Sequence, residues 1–203
     1  MTDGDSIVAD NRVDPEFDIV GLGMTQWRRE RPDLDCSGKA VVGRILRLQE
    51  IIMRAFNIGL EPHGLRYHAF AVLATLRVSG PPFRMSPTRL RETLLMTSGG
   101  TSNLLARLER QGWVVRHDGP HDGRTVIVEL TEAGKVLADQ AMESHAKVEH
   151  ELIRMFSEAE QDNLSVMLSR MLVLNQGWSN GMFHGAGTVT ASNEKDKSNE
   201  QVE

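Results

Sequence analysis

One β-hairpin signal stands in a chain that otherwise reads as helix, and it narrows the possible folds more than any other feature. Two short runs, "WVVRH" from Trp113 and "TVIVEL" from Thr125, are rich in β-branched and aromatic residues. Between them Gly119, Pro120, Asp122 and Gly123 supply turn chemistry, and Arg124 sits just past the last glycine.

The helical signals bracket that hairpin. A first helix is expected from Pro15 to about Arg31, where Pro32 ends it. Ser37 is the expected cap of a second, in which Val41, Ile45, Leu48, Ile52 and Phe56 recur at helical spacing. A third runs from about Leu65 to Val78 with Phe70, Leu73 and Leu76 inward, and "GPP" at 80–82 stops it. Two short helices follow. Ser86 caps the first with Pro87 at its opening position, Ser98 starts the second, and Gln111-Gly112 closes it. After the hairpin, Thr131 caps a long helix toward Phe156. Ser157 with Glu160 forms a capping box for a last one toward Gln176. A helix pair followed directly by a hairpin is the winged helix-turn-helix order, so the expected class is mainly α with a small β-wing.

Charge supports an anion-binding role for that middle segment. The net charge is −5, but from Arg84 to Arg124 seven arginines face four carboxylates, an excess of three positive charges. The acid lies at the ends. The first 18 residues hold Asp3, Asp5, Asp10, Asp14, Glu16 and Asp18 against one arginine, the wrong sign for a signal peptide. No apolar run is long enough for a membrane span, and one cysteine, Cys36, forms no intrachain disulfide, so a cytoplasmic protein is expected. The polar stretches 1–14 and 185–203 are expected to be disordered tails around one domain, 15–184.

The helix from Ser98 to Gln111 carries the functional argument. Thr101, Leu104, Leu105 and Leu108 share an inward face. Gly99, Ser102, Asn103, Ala106 and Arg110 lie opposite, with Arg107 on the flank. Small residues let a helix approach a DNA major groove closely, and Ser, Thr and Asn then bond phosphates or base edges. A solvated amphipathic helix is the plain alternative. Its place as the second of a tight pair, just before a hairpin, favours the DNA reading. The hairpin then reaches the adjacent minor groove, where an arginine is the favoured insert. Asp122 braces Arg124 there, against the alternative of an ordinary exposed turn.

The segment "LLARLERQGWVVRHDGPHDGRTVIVELTEAG", residues 104–134, resembles the multiple-antibiotic-resistance regulator (MarR) family: a Leu-Glu-x-x-Gly start, an Asp-x-Arg wing and a closing Leu-Thr-x-x-Gly. The resemblance spans about residues 15–176. It implies a homodimer whose DNA-binding lobe is about 65–130 and whose dimerisation helices are about 15–60 and 131–176. It further implies a repressor of a pseudo-palindromic double-stranded operator, released by a small, often aromatic, effector that changes the spacing of the two reading helices. Carried onto this chain, the DNA-binding positions are Ser98, Thr101, Ser102, Asn103, Arg107, Asp122 and Arg124. Gly123 departs from the family, which often has arginine there, and leaves a looser wing tip.

"WRRERPDLD", from Trp27 to Asp35, is similar to a urate-responsive subgroup. Trp27 matches that subgroup's ligand tryptophan, but its aspartate and two arginines are replaced by Ala71, Val78 and Leu104. A less polar aromatic ligand than urate is therefore expected, with Trp27, Arg31, His63, Tyr67 and Phe70 as candidate ligand residues. Trp27 and Phe70 as dimer-core aromatics remain the alternative. Seven histidines invite a metal reading, yet His145 and Glu149 lack the companions that a metal site needs, and no cofactor is expected. Met155, Met167 and Met171 read as adaptable core or interface. No catalytic motif appears, so no enzyme is expected. A redox response through Cys36 and a winged helix used only for protein contacts stay open as alternatives.

Overall fold

The computed structural model describes residues 18–118 and 126–175. The expectations for both tails and for Asp122, Gly123 and Arg124 fall outside those residues. The chain divides into two compact units, one ending at Leu152 and the other beginning at Ile153.

In the first unit, α1 (Ile19–Glu30) is capped by Asp18, and the expected start at Pro15 lies outside the described residues. One oxygen of the Asp18 carboxylate accepts from the N–H groups of Val20 and Gly21 at 2.8 and 2.9 Å, and the other takes Arg44 Nε at 2.7 Å. The Gly21 N–H, then the Arg44 guanidinium, hold that carboxyl below its ordinary range. α2 (Lys39–Leu60) corrects the expected cap. Asp35 Oδ1 takes the Ser37 N–H at 2.8 Å in a local turn, and the helix starts after Gly38 with no side-chain cap. α3 (Tyr67–Val78) buries Phe70, Leu73 and Leu76, as its spacing requires.

β1 (Arg84–Met85) was not anticipated, because two residues carry no period. It pairs with β3 (Val126–Leu130), which also pairs antiparallel with β2 (Val114–Asp118), giving the order β1-β3-β2. Between β1 and β2 lie α4 (Pro87–Thr93) and α5 (Ser98–Arg110). Leu73 and Leu76 of α3, Leu90 of α4, Leu105 and Leu108 of α5 and Val128 of the sheet close one core.

α6 (Glu132–Ile153) is joined tightly to that core. The Thr131 hydroxyl donates to Gly112 O at 2.7 Å and accepts the Gly134 N–H at 3.0 Å. A Cβ on Gly134 would lie 2.0 Å from Trp113 O, so only glycine permits this approach. α2 also packs close to the far part of α6: a Cβ on Gly59 would sit 2.6 Å from a side-chain methyl of Val148. The helix ends three residues before the expected Phe156.

In the second unit, Ser157 and Glu160 form the expected capping box of α7 (Glu158–Leu174). None of its residues is buried, and Met155 and Met167 are exposed. Among the described residues no helix is long and apolar enough to cross a membrane.

Candidate nucleic-acid interface

α4 and α5 form a tight helix pair whose ends are fixed by local chemistry. Ser86 Oγ accepts the Arg89 N–H at 3.2 Å, with Pro87 in the first turn. α5 starts at Ser98 as expected, capped by Thr97, whose hydroxyl accepts the Gly100 N–H at 3.2 Å. With the Gly100 and Thr101 N–H groups taken by Thr97, those of Ser98 and Gly99 remain at that start and favour phosphate.

The helix divides as its periodicity predicts. Thr101, Leu104, Leu105 and Leu108 are buried, while Ser98, Gly99, Ser102, Asn103, Arg107 and Arg110 are exposed. Thr101 therefore leaves the set of groups able to touch a ligand. It is 3% exposed and its hydroxyl donates to Thr97 O at 2.9 Å, which satisfies it inside the fold.

The basic segment is also sorted by the structure. Arg116 shares the inner sheet face with its cross-strand partner Val128 and reaches back to α5, where its Nε donates to Glu109 Oε2 at 2.8 Å. The Arg116 guanidinium holds the Glu109 carboxyl below its ordinary value. This pair neutralises itself and braces α5 against β2. Arg84, Arg89, Arg107 and Arg110 make no ion pair among the described residues. On the outer sheet face His117 Nε2 lies 3.3 Å from Glu129 Oε2, beside Arg84.

The candidate ligand residues fall into two groups. Trp27, 45% exposed, lines a groove with Gly23, Gln26, Glu30 and Lys39, with Lys39 Nζ 5.9 Å from its ring centre. Arg31 nearby is engaged by Asp33 at 2.7 and 2.9 Å. Ala71, Val78 and Leu104 do not line that groove; Val78 is 82% exposed and Leu104 is part of the core. The second group is His63, Tyr67 and Phe70. Tyr67 stacks on Phe56 at 5.3 Å, Phe70 lies 4.7 Å from the ring of His145, and His63 Nε2 meets Ser144 Oγ at 2.8 Å. No ring contact or hydrogen bond among the described residues joins the two groups.

Sequence reasoning missed Phe56 and His145 as companions of this second group. The signal was available: Gly134, Ala138, Ala141 and His145 form one buried stripe on α6. His145 approaches Glu149 at 3.3 Å, but its ring packs on Phe56 and Phe70, and its Nδ1 has no hydrogen-bond partner among the described residues. No group of three metal-binding side chains occurs among the described residues. Cys36 is a free, half-buried thiol in the turn between α1 and α2.

A MarR family model matches residues 63–125, which hold α3, β1, α4, α5 and β2 and stop short of β3. The transcriptional regulator PecS of Dickeya dadantii is 35% identical over 148 residues, covering 73% of this chain and 89% of its own. The chain belongs to the MarR family. It is thus a DNA-binding winged-helix transcription regulator, in which α4 and α5 are the helix pair and β2 and β3 the wing. Solved MarR structures agree. Wild-type MarR of Escherichia coli aligns with a TM-score of 0.57 at 27% identity, covering 64% of this chain and 96% of that one. A mutant MarR of the same organism complexed with operator DNA gives 0.59 at 25% identity, covering 72% and 97%.

Proposed function

We propose that this MarR-family chain is a repressor that binds a pseudo-palindromic operator as a homodimer and is released by a small aromatic effector. The observation that carries the DNA contact is the split of α5. Its inner face is closed by four buried residues, and its outer face presents Ser98, Ser102, Asn103 and Arg107 to solvent. The last of these is a cation without an ion pair among the described residues. A relative complexed with operator DNA supports a DNA contact for this fold.

Apolar surface supports a second copy as partner. Val41, Leu48 and Ile51 of α2 are each more than half exposed, and so are Val166, Leu172 and Leu174 of α7. The two readers then address half-sites about one helical turn apart. For the effector, the seat beside Tyr67, Phe70 and His145 is favoured over the groove at Trp27. It joins α2, α3 and α6 in one contact set, and a polar group on an aromatic ligand would satisfy His145 Nδ1. Release requires that the ligand prefer the DNA-free geometry.

The test is selection of duplexes from a random pool, followed by gel shift. Arg107→Ala is expected to weaken binding by about 1–3 kcal/mol and to lower the salt slope by about one. Aromatic acids and phenols are then titrated into the complex for release. Selection that returns no enriched duplex sinks the proposal. Release that survives Tyr67→Ala but not Trp27→Ala moves the effector to the other seat.

A further inference from the structure

The turn between α4 and α5 holds a leucine where its backbone suits glycine. α4 closes with two bonds, Leu95 N–H to Glu92 O at 3.4 Å and Met96 N–H to Arg91 O at 3.0 Å. This is the Schellman pattern, whose left-handed position usually goes to glycine because a Cβ there crowds the next carbonyl. Leu95 occupies that position with φ 51°. Its neighbours Leu94 and Met96 pack on the core, but Leu95 itself is 90% exposed. The other non-glycine residue with positive φ, Phe83, contrasts with it. Phe83 is half-buried between Arg77 and Lys135, 5.3 and 4.7 Å from its ring centre, so packing repays its backbone. Leu95 receives no such return from its own chain. A lone surface leucine is ordinary, but one that also carries backbone strain asks for a use outside the monomer.

Its position says what that use is. Two residues on, Thr97 caps α5, and the exposed Ser98, Gly99, Ser102 and Asn103 follow. We propose that Leu95 is an apolar contact to the operator, set against a thymine methyl or a deoxyribose at the edge of the groove that α5 enters. The inference rests on the DNA-binding reading of α5. Apolar side chains recognise the thymine methyl, which projects into the major groove. A protein partner fits less well, because docking surfaces are contiguous apolar patches. The exposed residues flanking Leu95 in the chain are Glu92, Thr93, Thr97 and Ser98, none of them apolar.

The experiment uses the full chain and a duplex that the wild type selects from a random pool. Leu95→Gly is expected to raise the melting temperature by about 2–4 °C through relief of the left-handed strain. The same variant should bind the selected duplex about tenfold more weakly, with binding to unselected duplex unchanged. Leu95→Met, which stays apolar, should keep the affinity. Uracil is then placed at each thymine in turn. A wild-type loss at one position that Leu95→Gly does not share assigns the methyl; no such position assigns the sugar. Leu95→Gly binding as tightly as wild type overturns the inference, and so does a fall in its melting temperature. In the first case Arg107→Ala separates the causes. If Arg107→Ala still weakens binding, only the leucine contact fails; if it does not, the DNA-binding reading of α5 fails with it.

Discussion

Glu109 and Arg116 divide the labour between fold and function at the level of single side chains. Both come from the basic segment, yet each is engaged by the other. Their bond links the end of α5 to β2. Because Arg116 depresses the Glu109 carboxyl, the pair stabilises the fold above the ordinary glutamate value of 4.5. That contribution is lost as pH falls through the lower folded-state value. Glu109→Gln should therefore remove part of the acid-side loss of stability below about pH 4.5, which urea unfolding at stepped pH would detect. An unchanged pH profile would show that the pair is idle. Thr101 illustrates the limit of residue-by-residue transfer from a family. Helical spacing alone put it with the leucines, and the structure agrees with the spacing.

Among the elements, those whose ends are set by neighbours in sequence were legible. Ser86 with Pro87, Ser157 with Glu160, and the glycine stop at Gly112 each place a side chain or a φ angle beside the backbone that it serves. What the sequence hid depends on contacts across the fold. β1 exists only because β3 pairs with it, and Ser37 is drawn into a turn with Asp35 while α2 starts after Gly38 with no side-chain cap. The aromatic group around His145 needs residues from α2, α3 and α6 together. Gly134 belongs to the same class: nothing local requires glycine there, but the Trp113 carbonyl does. Gly134→Ala should destabilise by about 3 kcal/mol, since the added methyl meets backbone rather than a movable side chain. Guanidinium unfolding with an unchanged midpoint would refute the close packing.

At the scale of the whole molecule, the apolar surface is the feature a single copy does not explain. α7 has 17 residues and none buried, although Val166, Leu172, Val173 and Leu174 lie on it. With a second copy as the partner, Leu172→Asp should shift sedimentation toward the monomer. It should also weaken operator binding by far more than the loss of one contact, because two half-sites are then no longer bound as one. A variant that sediments and binds as wild type would exclude α7 from the interface.

The bond between Thr131 and the Gly112 carbonyl has a mechanical consequence. α6 is 22 residues long, so it extends about 33 Å from the point where that hydroxyl welds it to the end of the reading helix. It is a lever whose short end is fixed to the reader and whose stripe of Ala138, Ala141 and His145 lies along its length. A tilt of about 5° over that arm displaces one end by roughly 3 Å relative to the other. On the proposed reading, an effector beside His145 would have little to move in order to put α5 out of step with its half-site.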